Sequence, residues 1–298
     1  MRVPLEILAC PECTSALETS GEGLCCAACG GAYPVISGVP LLMTPEDRAR
    51  FGVRLVEPGG AGMAARYRER ASASLGARLK RILRPPLPLV HNPAEPALPC
   101  PPGSLNLYLG GGGRSVPGFL NLDIGLFPGV DLVANAERLP LAEEALDAIE
   151  CDAVLEHVEA PESLAREALR VLKPGGLLHV VAPFCHPYHA YPADYRRWTQ
   201  AGLGHWLAGL GFEVLATGAR TGPTATLLTF LLEYVKLLFG GGRAGKAAYA
   251  AAGWLLFPCR YLDCWLNRRP GANLLANHVF ALARKPEGRR QKAEGSRQ

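Results

Sequence analysis

Four cysteines near the amino terminus have the spacing of a metal site. Cys10-Pro-Glu-Cys13 and Cys26-Ala-Ala-Cys29 are two C-x2-C pairs with twelve residues between them. Each pair can form a tight turn whose two thiolates point at one centre, and four thiolates suit structural zinc. Rubredoxin-type iron binding uses the same ligands and stays an alternative. The metal would replace a hydrophobic core that about forty residues cannot build.

These cysteines lie within a longer pattern, LEILACPECTSALE…LCCAACGGAYPVISGVPLLM. Residues 3 to 43 resemble the small zinc-ribbon protein that activates tRNA and translation-factor methyltransferases. The matching residues at its end are Tyr33, Pro34, Ile36, Gly38, Val39, Pro40 and Leu42. The resemblance implies a zinc ribbon over residues 1–45 that can hold a protein partner. Cys25 is outside the spacing, and we expect it to be a bystander.

A glycine-rich stretch after an apolar run, YLGGGGRSVPGFLNLDIG, is typical of a nucleotide site. A dinucleotide fingerprint, G-x-G-x-x-G, fails because Ser115 or Val116 stands at the sixth position. A phosphate-binding P-loop fails because Phe119, and no lysine, follows Gly118. The stretch therefore lacks what either phosphate motif requires.

S-adenosylmethionine has no phosphate, so it needs only a close backbone turn and an acidic group for its ribose hydroxyls. Gly110, Gly112 and Asp123 meet that description. The turn and the carboxylate together favour a methyl-donor site at this position. A bare flexible loop remains the alternative when the glycines are taken alone.

Downstream residues form an ordered series of motifs. They are Ala136, Glu137, Leu139, Pro140, Leu146 and Asp147, then LEHV at 155–158 and LKPGG at 172–176. Residues 104–217 thereby resemble class I S-adenosylmethionine-dependent methyltransferases, the group that includes quinone-biosynthesis enzymes. The resemblance implies that Gly110, Gly112 and Asp123 line the methionine and ribose. It also implies that Asn135, Ala136 and Glu137 meet the adenine, and that the strand end at Cys151 to Ala153 faces the reacting methyl.

The chain departs from this family at two places. Asn135 stands where the family usually has aspartate, which weakens the expected bond to the adenine amino group. Only nine residues separate Leu109 from Phe119, whereas a full crossover with its helix takes at least about ten to twelve. We therefore expect the first helix to be missing or reduced to a turn.

The segment FCHPYHAYPADYRRWT, residues 184–199, is rich in titratable and aromatic groups. It resembles a loop of methyltransferases found with polysaccharide and surface-glycan genes. His189 is the predicted base for the acceptor, and Asp194 is its orienting partner or an alternative base. Ordinary loop hydrogen bonding is the alternative for each. His157 is predicted to be structural or to lie beside the cofactor.

The elements that would position these residues alternate between strands and helices. Strands are predicted at 105–109, 119–124, 130–133, 146–151 and 177–183, with helices after 160 and after Thr199. The order predicts an α/β fold with a doubly wound, mostly parallel sheet. The small zinc-ribbon domain precedes it, and apolar helices over 224–270 follow before a closing strand at 277–285.

The remaining segments set the domain boundaries. Residues 46–103 are interpreted as a basic helix (61–84) and a proline-rich linker, residues 104–285 as the methyltransferase domain, and 286–298 as a disordered tail. The two apolar C-terminal runs are too short or too interrupted to span a bilayer. We interpret them as a lid or dimer interface, or as helices that contact the membrane surface.

Composition and missing motifs limit the partners, the location and the methyl acceptors that we expect for this protein. The net charge of +4 does not by itself indicate a nucleic-acid partner. The scattered cysteines and the lack of a secretory pattern favour a cytoplasmic protein. Peripheral contact with the inner face of the membrane is an alternative. Motifs of DNA adenine and cytosine methylation are missing, which leaves a hydroxyl or amine of a small molecule, sugar, glycan or lipid. The alternatives are a non-catalytic scaffold that activates a partner methyltransferase and an RNA methyltransferase.

Overall fold

The computed structural model describes residues 2–52, 90–190, 193–240 and 242–287. The basic segment 61–84 and the tail from 288 onward lie outside the described residues. The strands are β1 (Glu18–Ser20), β2 (Gly23–Cys25), β3 (Ala32–Ile36), β4 (Val39–Leu42), β5 (Asn106–Leu109), β6 (Phe119–Asp123), β7 (Leu132–Ala134), β8 (Leu146–Asp152), β9 (Leu172–Pro183), β10 (Glu213–Ala219) and β11 (His278–Arg284). The helices are α1 (Pro45–Phe51), α2 (Pro161–Val171), α3 (Gln200–Gly209), α4 (Pro223–Phe239), α5 (Arg243–Leu256) and α6 (Asp263–Leu266).

One sheet of eleven strands runs through the described molecule in the order β1-β2-β3-β4-β7-β6-β5-β8-β9-β11-β10. Its central strands β7, β6, β5, β8 and β9 are parallel, and β11 is antiparallel between β9 and β10. Every residue of β5 and β7 is buried, as is expected of strands that are covered on both faces. The predicted α/β class with a doubly wound, mostly parallel sheet is confirmed.

The boundary between α2 and β9 differs from the prediction. The strand predicted at 177–183 begins earlier, at Leu172, because α2 ends at Val171 and Leu172 already pairs with Leu146 of β8. Lys173 adds an ion pair of 2.8 Å to Asp147, also on β8. Tertiary pairing with β8 therefore draws this segment into a strand, which the local sequence does not reveal.

The cysteine-rich N-terminal part of the chain extends the central sheet. Strand β4 pairs in parallel with β7, with Leu41 opposite Val133 and Leu42 opposite Ala134. A second contact joins the 3₁₀ turn Leu5–Ile7 to residues 140–142, because the Ala142 N–H donates to the Ile7 carbonyl at 2.8 Å. The chain then enters α1 directly, so packing is continuous across the predicted boundary at residue 45.

The first crossover contains no helix in the described structure: residues 110–118 form a turn between β5 and β6. The proline-rich segment from 90 to 103 is irregular, apart from an isolated bridge between His91 and Thr221. Asn92 fixes this segment to β10 by donating its side-chain amide to the Ala219 carbonyl at 3.0 Å. The linker therefore lies against the sheet.

A buried carboxylate anchors the C-terminal helices. Asp263 is fully buried on α6, and its two oxygens accept the N–H groups of Thr224 and Ala225, each at 2.9 Å. Free N–H groups at a helix start favour an anionic acceptor. Among the described helices, none is long and apolar enough to cross a membrane.

We predict that Asp263→Asn lowers the free energy of unfolding by about 1–3 kcal/mol, because one backbone N–H then faces an amide donor. Urea denaturation followed by circular dichroism measures the change. The control Glu233→Gln removes a carboxylate from an exposed pair with Lys236 on α4, and it should change stability by less than about 0.5 kcal/mol. An Asp263 variant as stable as this control would contradict the prediction.

Candidate functional sites

The four predicted metal ligands converge on one point. The Sγ atoms of Cys10, Cys13, Cys26 and Cys29 all lie within 4.8 Å of one another. Two of the pairs, Cys10–Cys29 and Cys13–Cys26, are 3.6 and 3.4 Å apart. Thiolates bound at about 2.3 Å to a tetrahedral zinc ion lie about 3.8 Å apart, so the cluster fits structural zinc. Cys25 lies on β2 outside the cluster.

Backbone turns and a buried phenol support these thiolates. The amide of Glu12 donates to the Sγ of Cys10 at 3.4 Å, and the hydroxyl of Tyr33 lies 3.2 Å from the same sulfur. Burial, together with the neighbouring sulfur, raises the pKa of Tyr33 well above its usual value, so the phenol keeps its proton as a donor. The ribbon is therefore built around the four sulfurs.

A cavity of about 520 Å³ lies at the carboxyl ends of β5, β6, β7 and β8. The strand order reverses at β5, which is where doubly wound sheets bind their ligands. Five of the seven predicted cofactor residues line it: Gly110, Asp123, Asn135, Ala136 and Glu137. The volume falls in the range of small-molecule sites, about 300–1,000 Å³.

Gly110 and Asp123 shape the floor of this cavity. Gly110 has φ +68°, and a Cβ there would lie 2.4 Å from Val154 Cγ2, so only glycine fits. The carboxylate of Asp123 accepts the N–H groups of Gly112 at 2.9 Å and Gly125 at 3.0 Å. Burial raises the pKa of Asp123, and these N–H groups oppose the rise. Gly112 is absent from the cavity lining and acts through Asp123.

Asn121, which the sequence reasoning missed, holds the turn that replaces the first helix. Its buried side-chain amide lies 2.7–3.0 Å from the carbonyl oxygens of Gly112, Arg114 and Gly129. Its own N–H donates to Asp131 at 3.0 Å. The glycine turn is therefore fixed by one buried side chain, in the absence of helical hydrogen bonds. The signal was present in the Asn-Leu-Asp run before the end of β6.

Helix α1, which follows the ribbon, forms one wall of the cavity. Asn135 donates its side-chain amide to Asp47 Oδ1 at 2.9 Å, and both residues are buried. Arg50 donates to Glu137 at 2.9 Å and to Glu159 at 2.8 Å, and Arg50 also lines the cavity. Asp47 therefore places a buried carboxylate next to Asn135, although Asp47 itself does not line the cavity.

The end of β8 reaches the cavity through residues that follow Cys151. Asp152 and Ala153 line the wall, whereas Cys151 is fully buried between strands and absent from the lining. Burial raises the pKa of the Cys151 thiol well above its usual value. Its side chain therefore does not face a ligand, and the predicted placement of Cys151 itself against the cofactor is not what the structure has.

His189 and Asp194 lie together, but neither lines the cavity. Asp194 Oδ2 lies 3.3 Å from His189 Nδ1 and accepts the His189 backbone N–H at 2.8 Å. A hydrogen bond from Arg197 holds the pKa of Asp194 well below its usual range. His157 does line the cavity, and its ring centroid is 5.0 Å from that of His189. The two predicted catalytic residues therefore stand behind His157.

A second cavity of about 400 Å³ lies between the sheet and the segment that carries Glu95. On the sheet side it is lined by three residues that are paired across neighbouring strands, Tyr108, Glu150 and His179. The cavity has both charged and apolar side chains, and it shares His91, Tyr108, Asp152 and Arg220 with the first cavity. The two cavities therefore meet at these four residues.

Comparison with known proteins gives separate matches for the two parts of the chain. The methyltransferase-domain family matches residues 122–180, and the Trm112p-like protein family matches residues 5–38. A demethylmenaquinone methyltransferase of Renibacterium salmoninarum is 44% identical over 61 residues, which are 20% of this chain and 25% of that protein. A UPF0434 protein of Cupriavidus necator is 40% identical over 58 residues, 19% of this chain and 85% of that protein.

Among solved structures, the phosphoethanolamine N-methyltransferase 2 of Haemonchus contortus, in complex with phosphomonomethylethanolamine and S-adenosylhomocysteine, has a TM-score of 0.40 and 16% identity. That match covers 62% of this chain and 49% of the other. The chain spans between a quarter and a third of the length of the curated methyltransferases that it matches.

The chain is therefore similar to methyltransferase domains over residues 122–180. In the same polypeptide, residues 5–38 are similar to Trm112p-like proteins.

Proposed function

We propose that this chain is an S-adenosylmethionine-dependent methyltransferase with a built-in zinc ribbon. The observation that carries the proposal is the cavity at the point where the strand order reverses, lined by Gly110, Asp123 and residues 135–137. Glycine lets the backbone approach a ligand there, and Asp123 keeps free lone pairs as an acceptor for ribose hydroxyls. The cofactor supplies an electrophilic methyl group on its sulfonium.

The residues of the chain would hold and orient the two reactants. Asn135 offers a polar group for an adenine edge and is held by its hydrogen bond to Asp47, and Asp152 and Ala153 line the wall where we expect the methyl acceptor to approach. Positioning is the main contribution that the protein makes to an in-line displacement. The roles of His189 and Asp194 in removing a proton stay predictions, since His157 separates them from the cavity.

The second cavity supports a small polar acceptor. Its carboxylates, imidazoles and Arg220 offer hydrogen bonds to a hydroxyl or an amine, and apolar side chains such as Leu98 and Phe119 line the rest of it. Arg220 is held in place by Asp152 at 3.2 Å and Glu95 at 3.3 Å. We therefore propose a hydroxyl or amine of a small molecule, glycan or lipid headgroup as the methylated group.

Isothermal calorimetry of the metal-replete chain tests the function. We expect one S-adenosylmethionine per chain, with S-adenosylhomocysteine competing and NAD failing to bind. A chain that binds neither sulfur nucleotide would favour the alternative, a scaffold that activates a partner methyltransferase. That alternative has one observation against it: strand β4 is already paired with β7 of the same chain and is not free for a partner.

We also propose that the C-terminal helices contact an anionic membrane surface. Leu237 on α4 is 80% exposed and Leu255 on α5 is 78% exposed. Basic side chains stack on nearby aromatic rings, with the guanidinium of Arg260 4.3 Å from the Phe257 ring and that of Arg269 4.3 Å from the Trp265 ring. Apolar side chains beside cations are the composition of an interfacial helix surface.

Flotation with anionic liposomes checks the membrane proposal. We expect the wild-type chain to float with the vesicles, and the double variant Leu237→Glu/Leu255→Glu to lose at least about tenfold of that binding, because charge would enter the apolar layer. The control Ala201→Glu/Ala208→Glu adds the same charge to exposed positions of α3, and it should float like the wild type. Wild-type chain left wholly in the soluble fraction would refute the contact.

A further inference from the structure

A cluster of two imidazoles and a carboxylate lies beside the cofactor cavity, separate from the ribbon. Glu156 and His157 belong to the 3₁₀ turn Leu155–His157 that follows β8, and His189 comes from the 184–199 segment. One ligand atom from each of the three lies within 4.8 Å of the other two. His157 also lines the cofactor cavity.

Glu156 is the unusual member of this cluster. Its side chain is 0% exposed, and neither of its carboxylate oxygens has a hydrogen-bond partner in the described structure. A buried carboxylate without hydrogen bonds is costly, so a positive charge is expected next to it. The nearest groups are the Nε2 atoms of His157 and His189, at 3.7 and 3.5 Å from the same oxygen, Oε1.

Each imidazole is oriented from its far side. His157 Nδ1 lies 2.5 Å from the Ala193 carbonyl, so this nitrogen carries the proton and Nε2 presents a lone pair to Glu156. His189 Nδ1 lies 3.3 Å from Asp194 Oδ2 and 3.3 Å from the Pro187 carbonyl. Metal-bound histidines usually donate one ring N–H to an oxygen and bind the metal through the other nitrogen. Both imidazoles have this arrangement, with Nδ1 beside an oxygen and Nε2 facing the centre of the cluster.

The spacing matches a bound cation better than direct hydrogen bonds. Hydrogen bonds between nitrogen and oxygen are about 2.7–3.2 Å long, and both contacts to Glu156 are longer. Ligands at about 2.0–2.1 Å from one tetrahedral ion lie about 3.3–3.4 Å apart. A small cation between the three groups would neutralise the carboxylate and satisfy both imidazole lone pairs.

We propose that Glu156, His157 and His189 bind a divalent transition-metal ion at the edge of the cofactor cavity. Two imidazole nitrogens and one carboxylate favour zinc, manganese, iron or cobalt over magnesium or calcium. Three protein ligands leave coordination positions open, and His157 places them next to the cavity. If the proposed methyl transfer holds, an oxygen or nitrogen of the acceptor would bind there, and Asp194 would orient His189.

Metal content of the full chain tests the site. After dialysis against zinc and then metal-free buffer, elemental analysis should give two zinc ions per wild-type chain, one in the ribbon and one here. Glu156→Gln and His189→Ala should each hold one. The control His205→Ala removes an exposed histidine of α3 and should hold two. One ion per wild-type chain with zinc, manganese and cobalt alike would overturn the proposal, as would an unchanged count in Glu156→Gln.

Two further measurements keep the result decisive. If either variant fails to fold by circular dichroism, cobalt titration of wild-type chain that carries one equivalent of zinc, enough for the ribbon alone, replaces it. Weak d–d absorption without thiolate charge-transfer bands supports the site, and no new absorption overturns it. Calorimetry with S-adenosylmethionine separates this proposal from the proposed function. Glu156 does not line the cavity, so Glu156→Gln should lose the metal and keep its cofactor affinity within about threefold, which is about 0.6 kcal/mol.

Discussion

Asp123→Ala is expected to weaken S-adenosylmethionine binding by at least about 100-fold. Asp123 accepts two backbone N–H groups of the glycine turn and also faces the cavity. Each hydrogen bond to a charged group contributes about 1.5–3 kcal/mol, so losing the turn and the ribose acceptor together exceeds about 2.7 kcal/mol. Calorimetry at neutral pH measures the change.

The matched control for this prediction is Glu143→Ala. It removes an exposed carboxylate from the segment before β8, far from the glycine turn in the chain, and its affinity should equal that of the wild type. Thermal unfolding of both variants separates lost binding from lost structure. An Asp123 variant that is folded and binds S-adenosylmethionine with unchanged affinity would place the methyl-donor site elsewhere.

Destroying the ribbon's metal site is expected to weaken cofactor binding by at least about tenfold, although no cysteine touches the cofactor cavity. The free energy of structural zinc binding is folding free energy, about 10–16 kcal/mol in zinc-finger peptides. Without the metal, the ribbon no longer holds strand β4 against β7. Helix α1 follows β4, so its contacts with the cavity wall, Asp47 to Asn135 and Arg50 to Glu137, are then lost. The variant Cys13→Ser/Cys29→Ser tests this by calorimetry.

Mutation is preferable to a chelator here because a chelator would also empty the proposed second metal site. Cys25→Ser is the control, since Cys25 lies next to the ligand Cys26 but outside the cluster. It should bind S-adenosylmethionine like the wild type. A local variant, Asp47→Ala, should reproduce part of the loss with the ribbon intact. Equal affinity in the double cysteine variant and in the wild type would show that the cavity wall forms without the ribbon.

The sequence predicted those parts of the site that are local in the chain. Gly110 and Asp123 were predicted because the glycine turn after one strand and the acidic residue at the end of the next strand are close together in the sequence. The four cysteines were predicted as metal ligands because two C-x2-C pairs are by themselves the pattern of a four-thiolate site. The missing first helix was predicted because nine residues cannot hold a helical crossover.

The parts that were missed depend on contacts between distant residues. Asp47 and Asn135 are 88 positions apart and meet only because β4 pairs with β7. The parallel pairing of β4 has no local signal, since a strand's partner is chosen by packing. Likewise, Glu156 lies in a familiar run of residues, and only the fold brings His189 to its carboxylate.

The pairing of β4 with β7 lies within one polypeptide, so dilution does not separate the ribbon from the cavity. An exposed sheet edge is a hazard for a protein, and here the ribbon covers the edge of β7. When a helper domain is a separate molecule, its occupancy falls as the protein is diluted. In this chain the polypeptide itself sets the local concentration of the ribbon. The cavity wall formed by α1 is therefore present at any dilution, in a fixed ratio of one ribbon to one cavity.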